Sequence, residues 1–162
     1  MKNKKANIVM EGATIIIVLF VLAIIAIVGF TIFDDLNTEI QADSEMSNTS
    51  KVYADELHTE YPSLFDGIFI FMLVGFWIAA IIFAFLVDTH PIFLVISIIL
   101  IIFILAASAY ISNTYGEIIG DDAFAASANN FPMSNFVMLH LLETILVIVI
   151  SIVIALFAKD QI

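Results

Sequence analysis

GATIIIVLFVLAIIAIVGFTIF, residues 12–33, contains no charged side chain and no proline. About 20 apolar residues, rising 1.5 Å each in a helix, cross the hydrocarbon core of a bilayer. An open strand there would leave its peptide groups without partners, so the stretch reads as a transmembrane helix. Three further stretches follow, at 67–87, 92–112 and 136–158. The second and third are also free of charge. The fourth is interrupted by His140 and Glu143, and only Thr144 to Ala158 is uncharged. It reaches spanning length only if both interrupting residues lie below the membrane surface, nearer one side. The expected fold is an all-α integral membrane four-helix bundle.

Composition agrees with this reading. Of 162 residues, 62% are hydrophobic and 13% charged. A soluble domain is about half apolar and about a quarter charged, and a small one has too little interior to hide such an excess. The net charge of −11 arises from sixteen acids against five lysines, with no arginine. That balance argues against nucleic-acid binding, which needs a basic surface. It also removes an arginine-rich voltage sensor and a bidentate guanidinium clamp for phosphate. Without cysteine, disulfides, thiolate catalysis, cysteine lipidation and thiolate metal sites are excluded.

The lysines predict the orientation. With the N-terminus inside, Lys2, Lys4, Lys5 and Lys159 are cytoplasmic and only Lys51 is external, as the positive-inside rule favours. Segments 1–11 and 159–162 are then both cytoplasmic, giving an N-in/C-in protein. The first span is longer than the 7–15 residues typical of a signal-peptide core, and no small-x-small site follows it, so it reads as an uncleaved anchor. Met10-Glu11-Gly12-Ala13 ahead of it resembles the N-terminus of pilins and TadE-like proteins. Those families are built around one such helix, and three further spans depart from that plan.

The connections differ in length. Residues 88–91, Asp-Thr-His-Pro, form a tight cytoplasmic turn that makes spans two and three an antiparallel hairpin, with Pro91 suited to a first helical position. The external segment 34–66 holds nine acids and Lys51. Leu36, Ile40, Val52, Tyr53, Leu57 and Tyr61 have roughly helical spacing there, broken near Ser47 to Ser50. Span one is therefore expected to run past the membrane, turn, and return as a short amphipathic helix ending at Pro62. The external loop 113–135 carries Glu117, Asp121 and Asp122 and no base. Its Ile118, Ile119, Phe124 and Phe131 either cap the bundle or lie at the interface. No internal repeat supports an inverted-repeat transporter.

Candidate chemistry centres on His140 and Glu143, three apart and so on one helix face. An ionisable pair inside a span is a functional-site hypothesis by default, and His/Glu pairs at this spacing recur in di-metal bundles. Such a centre needs more carboxylates at the same depth. Asp66, at the outer end of span two, is the one that fits; Glu11 and Asp88 belong to the inner face. The plainer reading places His140 and Glu143 just below the outer interface, bonded to each other or to a neighbouring helix. Glu11 suits the first turn of a helix through the macrodipole, and Asp88 and His90 suit helix caps. The small residues Gly75, Ala79, Ala80 and Ala84 predict close helix packing, within the chain or between copies. Ala106, Ala107 and Ser108 suit the same part on span three, and Trp77, mid-span, is expected to pack against protein. The acid runs match no calcium loop. No phosphate loop, nucleophile elbow or HExxH is present, so no catalytic residue, metal or cofactor is expected.

Two functions follow. One is a non-enzymatic structural or assembly subunit of a membrane-embedded complex, partnered by lipid and by other membrane subunits or copies of itself. In size and hydropathy the chain resembles small multi-pass proteins of the internal membrane of icosahedral viruses. The other is an oligomeric cation channel, holin-like pore or small transporter using the His140/Glu143 face.

Overall fold

The computed structural model describes the backbone of residues 7–86 and 91–159 and the side chains of residues 13–86 and 98–158. The expected cytoplasmic turn, with Asp88 and His90, and the side chain of Glu11 lie outside the described residues. Six helices account for nearly all of the described chain: α1 (Asn7–Ala42), α2 (Asn48–Leu86), α3 (Pro91–Ile119), α4 (Ala125–Ala128), α5 (Pro132–Leu139) and α6 (Leu141–Lys159). Four of them, α1, α2, α3 and α6, are long and apolar enough to cross a membrane by length and composition.

The core follows from the spacing of apolar residues on α1. Leu19, Ala23, Ala26, Ile27 and Phe30 are buried, at intervals of three and four that trace one stripe of a helix. Phe69 and Leu73 of α2, Tyr115 of α3, Met138 of α5 and Leu141 of α6 close on that stripe. The opposite faces of the long helices expose isoleucine, valine and phenylalanine. In water such surfaces would drive aggregation; in a bilayer lipid covers them.

The helices overrun the membrane on one side. At 1.5 Å per residue, the 36 residues of α1 and 39 of α2 extend for about 54 and 58 Å, well beyond a core of about 30 Å. Their projecting parts form a hairpin. Ser47 caps α2, its hydroxyl oxygen accepting from Ser50 N at 3.1 Å, as serine does at such positions. Lys51 Nζ donates to the carbonyl of Gln41 (2.8 Å), and Gln41 Nε2 donates back to the carbonyl of Lys51 (2.8 Å). One of the four carbonyls orphaned at the end of α1 is thereby satisfied.

Three expected boundaries need correction. The returning helix does not end at Pro62: α2 runs through it without a break into the second span. A proline inside a helix forfeits one bond, at roughly 3 kcal/mol. Here the ring of Pro62 is buried and flanked by the packed Tyr61 and Phe65, and that packing offsets the loss. Segment 113–135 is not an open loop either. Helix α3 continues to Ile119 because Tyr115 is fully buried in the core, and α4 and the start of α5 follow, joined by short turns at 120–124 and 129–131. Finally, 136–158 is not one helix, because the chain breaks at His140 between α5 and α6.

Candidate functional site

Three of the five buried polar side chains among the described residues, Asp66, Ser127 and Ser134, gather where α4 and α5 fold over the long helices. Helix α5 begins after Phe131, whose side chain offers no acceptor. Pro132 at the first position has no N–H to satisfy, but Met133 and Ser134 have orphan amides. Asp66 supplies the missing cap from α2. Its Oδ2 accepts from Met133 N (2.8 Å), and its Oδ1 accepts from Ser134 N (3.0 Å) and the Ser134 hydroxyl (2.6 Å). The carboxylate is buried and sits against the positive end of the α5 dipole, where negative charge is stabilised. Charged acceptors make the stronger hydrogen bonds, and with them Asp66 joins residues 67 and 68 positions away in sequence.

Three neighbouring contacts repeat the pattern. The buried Tyr115 hydroxyl of α3 donates to Asn135 Oδ1, and Asn135 Nδ2 donates to the carbonyl of Ala128 (2.5 Å), linking α3, α5 and α4. Thr31 Oγ1 of α1 lies 2.8 Å from the Ser127 hydroxyl of α4. Around them is an aromatic cluster. Phe131 is fully buried and meets Phe30, Tyr61 and Phe65 edge-on, at centroid distances of 5.6, 6.3 and 6.0 Å. Such edge-to-face pairs add to simple area burial. Phe131 and Phe124 thus cap the bundle, one of the two placements the sequence allows. Further out, His58 stacks on Phe30 (4.8 Å) and lies 2.8 Å from Asp34, bridging α1 and α2.

The break at His140 has a local cause. The Ser112 hydroxyl of α3 donates to the carbonyl of Leu139 at 2.6 Å, the group that would otherwise receive Glu143 N in a continuous helix. A side chain inserted into the helical ladder is a known source of kinks. The flanking ladder bonds are His140 N on the carbonyl of Phe136 (3.1 Å) and Thr144 N on that of His140 (2.9 Å), and the amides of Leu141, Leu142 and Glu143 between them form the first turn of α6.

The structure does not bring His140, Glu143 and Asp66 together. Asp66 is spent on α5. His140 and Glu143 are exposed on the outside of the bundle, the imidazole stacked on Phe136 with Nδ1 3.0 Å from its carbonyl. Among the described residues no group of three His, Asp or Glu side chains converges as metal ligands would. Of the small residues on α2, Ala84 is buried and Ala79 and Ala80 are half-buried. Gly75 is exposed, and a methyl group added to it would meet nothing within 4 Å. It makes no close helix contact among the described residues. On α3, Ser108 is fully buried and donates to the carbonyl of Leu105 (2.9 Å). Trp77 is half-buried, with its indole N–H enclosed and lacking a hydrogen-bond partner among the described residues.

Several of these residues escape a reading of the sequence. His58 and Asp34 are 24 positions apart and meet only because the hairpin turns at residues 43–47. Tyr115 and Asn135 sit in what reads as a polar loop. One signal was available: Asn129-Asn130-Phe131-Pro132 has the polar residues and first-turn proline of a helix start. Among known proteins, no family model, curated protein or solved structure matches the chain.

Proposed function

We propose that this protein is a non-enzymatic structural or assembly subunit of a membrane-embedded complex. It would be seated in a cellular membrane or a viral membrane derived from one, with both termini on the cytoplasmic side. The observation that carries this reading is the use made of Asp66. A buried carboxylate at the edge of a membrane span is the best single candidate for handling an ion or proton. Here its two oxygens already accept three hydrogen bonds from α5, so it acts as a joint between helices. Nearby, Tyr115 is paired with Asn135 and Thr31 with Ser127. The four-to-one distribution of lysines supports the orientation.

The rival reading is an oligomeric cation channel or small transporter, and one observation favours it: His140 and Glu143 are exposed and not consumed by the bundle. Because both face outward, a conducting path using them would have to run between copies. Purified protein in liposomes separates the two. The subunit reading expects ion flux at the level of empty vesicles, unchanged by Glu143→Gln. Flux well above that level, and sensitive to Glu143→Gln, overturns it. Reporter fusions at Asn48 and Asn129 outside, with the C-terminus inside, test the orientation.

A further inference from the structure

We infer that the outward face of α5–α6 is an interface between two parallel copies of this chain, in which His140 of each copy meets Glu143 of the other. The inference rests on the assembly reading above and names its partner. On α6, Glu143, Val147, Ile150, Ile154 and Phe157 follow one another at intervals of three and four, the spacing of a coiled-coil seam, and His140 stands just before them at the end of α5. Val147 and Ile150 are each 49% exposed, Ile154 63% and Phe157 66%, and His140 and Glu143 are exposed above them. Outward faces elsewhere in the bundle share this periodicity. Val21 and Ile25 on α1, or Ile78 and Ile82 on α2, are apolar, and lipid is a sufficient cover for them.

The α5–α6 face differs because an imidazole and a carboxylate stand at its outer end. Helix α6 has 19 residues and extends for about 28 Å, slightly less than a hydrocarbon core of about 30 Å. Glu143, in its first turn, is therefore held at the edge of the hydrocarbon, where a polar side chain gains most from a protein partner. Glu143 has no hydrogen-bond partner among the described residues. His140 uses Nδ1 on the carbonyl of Phe136. A carbonyl only accepts, so Nδ1 carries the proton and Nε2 is the free atom. Nε2 then accepts from a carboxylic acid, or as imidazolium donates to a carboxylate, with one proton shared in either case.

Self-complementarity selects a second copy as the occupant. Copies inserted by the same route are parallel. In a two-fold pair the same patch serves both sides, and adjacent layers of a parallel seam pack together. His140, at the end of α5, then stands beside the outermost layer of the seam, that of Glu143 in the other copy, and the contact is made twice. A polar pair at such a position sets register and partner number.

Single-cysteine cross-linking of the full chain in membranes tests this, since the sequence has no cysteine of its own. Ile150→Cys, oxidised with copper phenanthroline, should give a product of twice the chain mass at least ten-fold above Val21→Cys on the opposite face. Adding Glu143→Ala or His140→Ala should cut that yield five-fold or more. Glu143→Gln and the exchanged variant His140→Glu/Glu143→His should recover most of it, which separates loss of the contact from loss of folding. Equal yields at the two cysteines, or a yield indifferent to Glu143→Ala, overturn the inference. A cross-link in native membranes to a different protein, with none at twice the chain mass, also overturns it while leaving the assembly reading in place. Ion flux in liposomes overturns the assembly reading whichever way the cross-links fall.

Discussion

At the outer end of the bundle, α4 and α5 are held over the long helices by directed polar contacts; along the shaft, α1, α2, α3 and α6 meet through apolar side chains and expose apolar side chains. Asp66 and Glu143 show the contrast in one functional group, the carboxylate. Asp66 is buried and accepts three hydrogen bonds, whereas Glu143 is exposed and has none among the described residues. In a bilayer the hydrophobic effect does not distinguish lipid from a neighbouring helix, so association depends on packing and hydrogen bonds. The outer end concentrates those bonds, and the shaft is left free to choose neighbours.

Replacing Asp66 by alanine should be the most damaging single change in the molecule. It strands the buried amide and hydroxyl of Ser134 and the part-buried amide of Met133, and an unsatisfied buried donor costs about 1–3 kcal/mol. The expected loss is roughly 4 kcal/mol, read as a fall in the midpoint of unfolding in detergent. Asp66→Asn should keep part of that stability. An undiminished midpoint in the alanine variant would remove the joint from the account.

Phe131→Ala should come next, at about 3–4 kcal/mol, because a large aromatic side chain is deleted from a fully buried position. The same measurement checks it. A comparable truncation on the shaft surface, Ile25→Ala, should move the midpoint by less than about 0.5 kcal/mol.

Two helical glycines sharpen the comparison further. A methyl group at Gly29 would lie 3.0 Å from the Tyr61 hydroxyl, whose ring is held between Phe30, Phe65 and Phe131. Gly29→Ala should cost about 1–2 kcal/mol by overpacking, and adding Tyr61→Phe should restore much of it. Gly75→Ala meets open space and should be neutral or stabilising by up to about 1 kcal/mol, since alanine is the better helix former. If Gly75→Ala instead destabilises the protein in membranes but not in detergent, a neighbouring helix occupies that notch.

The smallest effect belongs to Ser112→Ala. Freeing the carbonyl of Leu139 lets Glu143 N return to it, so stability should change by no more than about 1 kcal/mol. Hydrogen exchange at the Glu143 amide should slow. Unchanged exchange there would remove Ser112 as the cause of the break.

The number of helices able to cross a membrane was legible because long apolar runs have one stable form in lipid, and each run carries that information locally. The α1–α2 hairpin was legible in outline, through helical spacing on both sides of Ser47 to Ser50. Pro62 misled because a proline's local cost is visible in sequence, while the packing that offsets it is not. The split of the fourth span was invisible for the same reason: it depends on a hydroxyl from Ser112, 27 residues before Leu139.

By itself the sequence determined an all-helical chain with four helices able to cross a membrane, an acidic projecting hairpin, and two ionisable residues in the last span. Tertiary structure alone decided what the polar residues do. It buried Asp66 as the cap of α5, paired Tyr115 with Asn135 and His58 with Asp34, and turned His140 and Glu143 outward. Hydrophobic runs act through their own length, but a polar side chain acquires its role only from the groups that folding brings within about 3 Å of it.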